Sequence, residues 1–176
     1  MNTIDSVALV GHVASLHLHP VQPGEPMAAV EALELIEGKG IIGDHRYFGR
    51  LSRTTGQLSQ RQVSLMEREQ IAEHAAALEM AAIAPGAVRA NIETTALNLV
   101  SLIGKELAIG EAVLFLFVQR DPCARMDAIR QGLRERMMHG KQGVLAEVRQ
   151  GGRVKVGDTI HVRSLASAPT GSQAAT

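Results

Sequence analysis

Ile103-Gly104-Lys105-Glu106-Leu107-Ala108-Ile109-Gly110-Glu111-Ala112-Val113-Leu114-Phe115-Leu116-Phe117-Val118 is the stretch that sets the architecture of this chain. Its two Ile-Gly steps, at Gly104 and Gly110, frame a short strand around Leu107, and the continuous apolar run from Ala112 to Val118 reads as a buried strand. Working outward, Val88 to Thr94 alternates Val88, Ala90 and Ile92 against Arg89, Asn91 and Glu93, as a strand does. Gln62 to Leu65 forms a short strand that leads into the clearest helix, Glu67 to Met80, with Ile71, Ala75 and Leu78 at helical spacing. Ser6 to Leu18 is a strand whose pattern slips near Gly11, the mark of a bulge. Met27 to Glu37 fits neither period and stays unassigned, Gly38 to Gly43 is a glycine turn, and Arg50 to Arg61 is a polar loop. Downstream come a helix over Pro122 to His139 interrupted near Gly132, a strand over Val144 to Arg149, a Gly151-Gly152 turn and a last strand from Thr159 to Val162. Short strands separated by glycine turns, with few helices, predict a mainly β, α+β fold: a barrel-like core decorated by helices.

Composition bounds the function. The chain of 176 residues, 45% apolar, suits a single domain over 1–165, followed by a small polar tail, 166–176, expected to be disordered. Eighteen basic residues balance eighteen acidic ones, so no net field draws the protein to nucleic acid or to an anionic membrane. The aromatics are Tyr47, Phe48, Phe115 and Phe117, too few for base stacking, and the run Ala112 to Val118 is too short to cross a bilayer as a helix. One cysteine excludes an intramolecular disulfide, and Met1 to Asp5 shows no signal-like pattern, which makes the cytoplasm the expected compartment.

That cysteine, Cys123, stands in Arg120-Asp121-Pro122-Cys123-Ala124-Arg125. Asp121 as cap and Pro122 at the first helical position would put Cys123 in a first helical turn, where the macrodipole and two arginines favour a nucleophilic, soft-metal-binding thiolate. The alternative is a small buried hydrophobe. Gly38-Lys39-Gly40-Ile41-Ile42-Gly43 matches G-x-G-x-x-G, but the following Asp44-His45-Arg46-Tyr47-Phe48-Gly49 is unlike a helix. The glycines are therefore read as a tight turn presenting Asp44, His45 and Arg46 at a strand end, not as a nucleotide site. His17 and His19 would share a strand face and are expected to be solvent-facing, since two imidazoles are too few for zinc. Cys123 and His45 form a thiol-imidazole dyad only if the fold joins them. Arg89 and Asn91, on one face of the expected strand, suit an anionic ligand or an ordinary solvated face.

The ordered set of these motifs resembles a MOSC domain, the module named after the C-terminal part of molybdenum cofactor sulfurase. The matching elements are Gly40-Ile41-Ile42-Gly43-Asp44-His45-Arg46, Arg61-Gln62-Val63-Ser64-Leu65, Arg89-Ala90-Asn91-Ile92, Leu102-Ile103-Gly104 with Ile109-Gly110, Pro122-Cys123, and Gly143-Val144-Leu145 to Gly157-Asp158. The resemblance implies a β-barrel that works with the molybdenum cofactor (molybdopterin) or in sulfur transfer, and a cysteine, here Cys123, that carries sulfur or ligates molybdenum. Arg89 and Asn91 fall where cofactor contacts are expected, Asp44, His45 and Arg46 match the loop at the pocket mouth, and Arg120 and Arg125 supply positive charge for the pterin's phosphate. Pyridoxal phosphate is not expected within this chain. Electrons or sulfur are expected from a partner protein, and the implied roles are sulfur transfer, reduction of a small N-hydroxylated substrate, or carriage of cofactor or sulfur without catalysis.

Overall fold

The computed structural model describes residues 9–163, so the expected strand start at Ser6 and the expected tail from Ala166 lie outside the described residues. In chain order the strands are β1 (Val10–Leu18), β2 (Ala28–Val30), β3 (Ala32–Ile36), β4 (Gly40–Ile41), β5 (Val63–Glu67), β6 (Ile92–Thr95), β7 (Glu106–Ile109), β8 (Ala112–Gln119), β9 (Val144–Gln150), β10 (Gly152–Lys155) and β11 (Thr159–Arg163). The helices are α1 (Arg68–Ala77), between β5 and β6, and the single-turn pair α2 (Met126–Ile129) and α3 (Leu133–Arg136), between β8 and β9. Seven strands, in the order β11-β7-β8-β9-β5-β6-β1, form a barrel that closes where Gly11 of β1 pairs with Ile160 of β11. Closure removes the exposed sheet edges that an open sheet would carry. The fold is thus the expected α+β barrel, with β2 added beside β1 and a small sheet, β10-β3-β4, set apart from the main one.

Side-chain alternation on β5 separates two apolar layers. Val63 and Leu65 enter the barrel interior with Leu16, Ile92, Leu114, Leu116 and Ile160, while Met66 points outward into a second cluster with Ile71, Val88, Ala90, Leu133 and Met137 beneath the helices. Three differences from the sequence reading follow. Val88 and Ala90 pack in that outer layer rather than continuing a strand, so β6 starts only at Ile92 and Arg89 sits in a loop with φ +63. Met27 to Glu37, unassigned from sequence, resolves into β2, which pairs with β1, and β3, which pairs with β10 and buries Leu33 and Leu35. The helix expected from Pro122 starts only at Met126, leaving Cys123 in an irregular segment outside any helical turn.

Candidate functional site

Strand ends and their connections converge on one cleft of about 580 Å³, the open solvent at its mouth included. His19 comes from the end of β1, Arg46 and Tyr47 from the turn after β4, and Arg61 from the approach to β5. Arg89 comes from the loop ahead of β6, Gln119, Arg120, Asp121 and Cys123 from the end of β8, and Gln142 from the approach to β9. Of the residues singled out from sequence, the fold thus gathers Arg46, Arg89, Arg120 and Cys123. Cys123 is exposed, which rules out the small buried hydrophobe. His45 and Arg125 line an adjoining groove that shares His19, Arg46 and Arg89 with the cleft. The imidazole on the same lining as the thiol is therefore that of His19, not His45.

Asp44 and Asn91 are corrected in position: Asp44 is buried behind the lining rather than at its mouth, and Asn91, expected as a cofactor contact, is buried there too and does not share a strand face with Arg89. Asp44 Oδ2 accepts hydrogen bonds from His19 N (3.0 Å), His19 Nδ1 (2.8 Å) and Asn91 Nδ2 (2.8 Å). Its Oδ1 accepts from the backbone N–H groups of Arg46 (3.1 Å) and Tyr47 (2.9 Å), which folds the turn that carries both side chains to the cleft. Asn91 Oδ1 in turn accepts from Ser64 N and Ser64 Oγ, and Nδ2 also reaches His17 O. These two residues position the site from beneath it. His17 and His19 are likewise buried, not solvent-facing. The bulge lies between Val13 and Ser15, and His17 Nδ1 is spent on Ala90 O at 3.2 Å.

The cleft is electropositive because its cations have no acidic partner among the described residues; Arg89 Nη1 donates to a backbone oxygen, that of Glu25, at 2.9 Å. Among the described residues, none of Arg46, Arg61, Arg89, Arg120 and Arg125 is in an ion pair, and Asp121 is the one carboxylate on the lining. Burial, followed by the charges of Arg125 and Arg46, lowers the Arg89 pKa from its ordinary value; Cys123 and Asp44 oppose this. Burial also lowers that of Arg120. Arg120 Nη2 donates to Val88 O (3.2 Å) and Arg89 O (3.3 Å), and Nη1 to Gln142 O (3.4 Å), so this arginine ties two walls of the cleft together. Two polar atoms of the lining residues are buried with no protein partner among the described residues: Arg89 Nε, a donor, and Gln142 Oε1, an acceptor. Such atoms are costly unless a ligand satisfies them. Arg89 itself holds a left-handed backbone that non-glycine residues seldom adopt, a strain of the kind retained at binding sites.

Sequence reasoning did not place His19, Tyr47, Arg61, Gln119 or Gln142 in the site. For Arg61 a signal was present: from Lys39 to Arg61 the chain carries Lys39, Arg46, Arg50, Arg53 and Arg61 against Asp44 alone, a local excess hidden by the neutral total. His19 had none, since only the fold brings it to Asp44, 25 positions away.

The fold and the site together define a closed β-barrel with an exposed thiol in an arginine-lined cleft. The MOSC domain model matches residues 34–161, more than half of the chain, which therefore belongs to the MOSC domain family. Among solved structures, the YUAD protein from Bacillus subtilis is similar at TM-score 0.77 and 20% identity, with 90% of this chain and 98% of that one covered. YiiM from Escherichia coli is similar at TM-score 0.63 and 21% identity, covering 92% of this chain and 71% of that one. YiiM from Geobacillus stearothermophilus is similar at TM-score 0.65 and 14% identity, covering 88% and 75%. At these identities the likeness establishes the fold. No curated protein is similar enough in sequence to count as a match. Among the described residues no helix is long and apolar enough to cross a membrane, and no group of three or more His, Cys, Asp or Glu side chains is arranged to hold a metal by itself.

Proposed function

We propose that this protein binds the molybdenum cofactor in the arginine-lined cleft, with Cys123 as its sulfur ligand or as the carrier of a sulfane sulfur. The proposed use is sulfur transfer, or reduction of a small N-hydroxylated substrate, with an external protein as electron or sulfur donor. The observation that carries this reading is an exposed thiol on the same lining as four arginines, none of them in an ion pair. The donor set fits the cofactor. A thiolate suits molybdenum, guanidinium groups suit the phosphate, and the unpartnered Arg89 Nε and Gln142 Oε1 suit a pterin edge that both accepts and donates. When bound, the cofactor supplies a two-electron redox centre; the chain's own residues anchor the anion and hold the thiol at the open face. The proposed compartment is the cytoplasm, where a lone exposed thiol stays reduced.

The test is reconstitution with molybdenum cofactor, followed by assay of molybdenum and of cyanide-labile sulfur. Molybdenum or labile sulfur in proportion to protein supports the reading, and the absence of both overturns it. Turnover of an N-hydroxylated substrate with a reduced flavoprotein makes the protein an enzyme; retention without turnover makes it a carrier. Arg89 supplies a finer check. Arg89→Ala and Arg89→Gly are both expected to weaken cofactor binding about 10- to 100-fold, the loss of a charge-assisted hydrogen bond. Thermal unfolding should find the glycine variant more stable than the alanine one by about 1 kcal/mol, because only glycine adopts this φ without penalty. Unchanged affinity in both variants removes Arg89 from the site.

A further inference from the structure

Asp44 and His19 form a pair that the anchoring of a cofactor does not use. The Asp44 carboxylate is acceptor-only, so the 2.8 Å contact to His19 Nδ1 requires the proton to sit on Nδ1. The ring is fixed from three sides. Its backbone N–H donates to Asp44, its backbone oxygen accepts from His45 N, and Tyr47 packs edge-on against it with centroids 5.3 Å apart at 86°. Nε2 then has no protein partner among the described residues, and unlike His17 Nε2 it is not sealed from solvent. His19 lines the same cleft as Cys123, and its imidazole is the one histidine ring on that lining, held by Asp44 with Nε2 left free to exchange a proton. The charged groups around it are Asp44 behind the ring, Arg46 and Arg89 on both the cleft and the adjoining groove, and Arg61, Arg120, Asp121 and Cys123 on the rest of the lining. His45, Arg50 and Arg125 complete the groove.

We infer that His19 is the proton-transfer residue of this site, with Asp44 as its positioning residue. This rests on the reductive reading above. Reduction of R–NHOH to R–NH2 breaks the N–O bond and releases the oxygen as water, consuming two electrons and two protons. The electrons come from a reduced flavoprotein; one proton passes to the departing oxygen from Nε2 of the His19 imidazolium, leaving the neutral ring with its proton on Nδ1, and the other comes from solvent, which also reprotonates Nε2.

Two measurements test it. His19→Asn keeps a donor to Asp44 where Nδ1 stands and removes the group at Nε2. In cofactor-loaded protein it should retain molybdenum, lose about 100-fold in kcat with little change in KM, flatten the pH profile and regain rate with added imidazole. Wild-type kcat and pH profile in loaded His19→Asn overturn the inference while leaving the cofactor reading intact. The second measurement needs neither cofactor nor turnover: nitrogen NMR of the unloaded protein titrated with inorganic phosphate. The neutral His19 ring should carry its proton on Nδ1, and phosphate should move the Nε2 resonance of His19 but not that of His17. A proton on Nε2, or an Nε2 signal that stays still while Arg89 Nε shifts, overturns the inference whether or not the protein holds molybdenum.

Discussion

Cys123→Ala leaves the barrel folded and reduces both molybdenum and cyanide-labile sulfur to background. The two effects separate because of where the sulfur lies. Cys123 is exposed, in a segment outside any helix, and belongs to neither apolar cluster, so removing it opens no core cavity. Exposed substitutions of this kind stay within about 0.5 kcal/mol, a shift in Tm of roughly 1 to 2 °C for a domain of this size. The ligand, by contrast, is lost completely, because this is the chain's single cysteine and no group of His, Asp or Glu side chains among the described residues replaces it. Cys123→Ser separates sulfur chemistry from simple hydrogen bonding: an oxygen of similar size is a hard donor and takes no sulfane sulfur. Metal analysis and a cyanolysis assay on the three proteins read this directly. Equal molybdenum content in wild type and Cys123→Ala refutes the assignment.

How much of this was legible depends on the range of the interactions. The closely spaced glycines and the run Ala112 to Val118 reveal β7 and β8 because strand period and turn chemistry are local properties. The Lys39 to Arg61 excess of arginines is local too, and marks one wall of the cleft. What failed were inferences that need a tertiary partner. Val88-Arg89-Ala90 alternates like a strand, yet its apolar residues face the layer under α1, which bends the chain and places Arg89 in the left-handed region. Beyond the Gly151-Gly152 turn the sequence shows no strand before Thr159, yet pairing with β3 buries Val154 and makes Gly152–Lys155 the strand β10. Asp44 reads as a charged residue at a loop mouth, but five N–H donors from three parts of the chain draw it inside. The same convergence turns His19 from an expected surface histidine into a buried one.

Asp44→Asn is expected to be the most destabilising conservative change in the site, by about 3 kcal/mol at neutral pH. An asparagine has one acceptor oxygen where Asp44 uses two. With its amide at the Oδ1 position it faces the N–H groups of Arg46 and Tyr47; turned over, it faces His19 N, His19 Nδ1 and Asn91 Nδ2. Either way at least two buried donors meet a donor, at roughly 1 to 3 kcal/mol each, partly relieved by relaxation. The pH dependence has a definite sign. Burial pushes the Asp44 carboxyl up, but the hydrogen bonds and charge of His19, with the backbone donor of Tyr47, outweigh it and hold the folded pKa below the ordinary aspartate value of about 4. A depressed carboxyl contributes stability above the unfolded value and loses it as pH falls through the folded one. Denaturant unfolding at pH 7 and at pH 3 should therefore show the gap between wild type and Asp44→Asn narrowing in acid; a gap that stays constant means Asp44 is not held ionised. Because the same carboxylate sets the 44–47 turn that carries Arg46 to the cleft, the variant's residual folded population should also bind cofactor more weakly than wild type at matched folded concentration, linking the stability of this buried charge to the shape of the cleft above it.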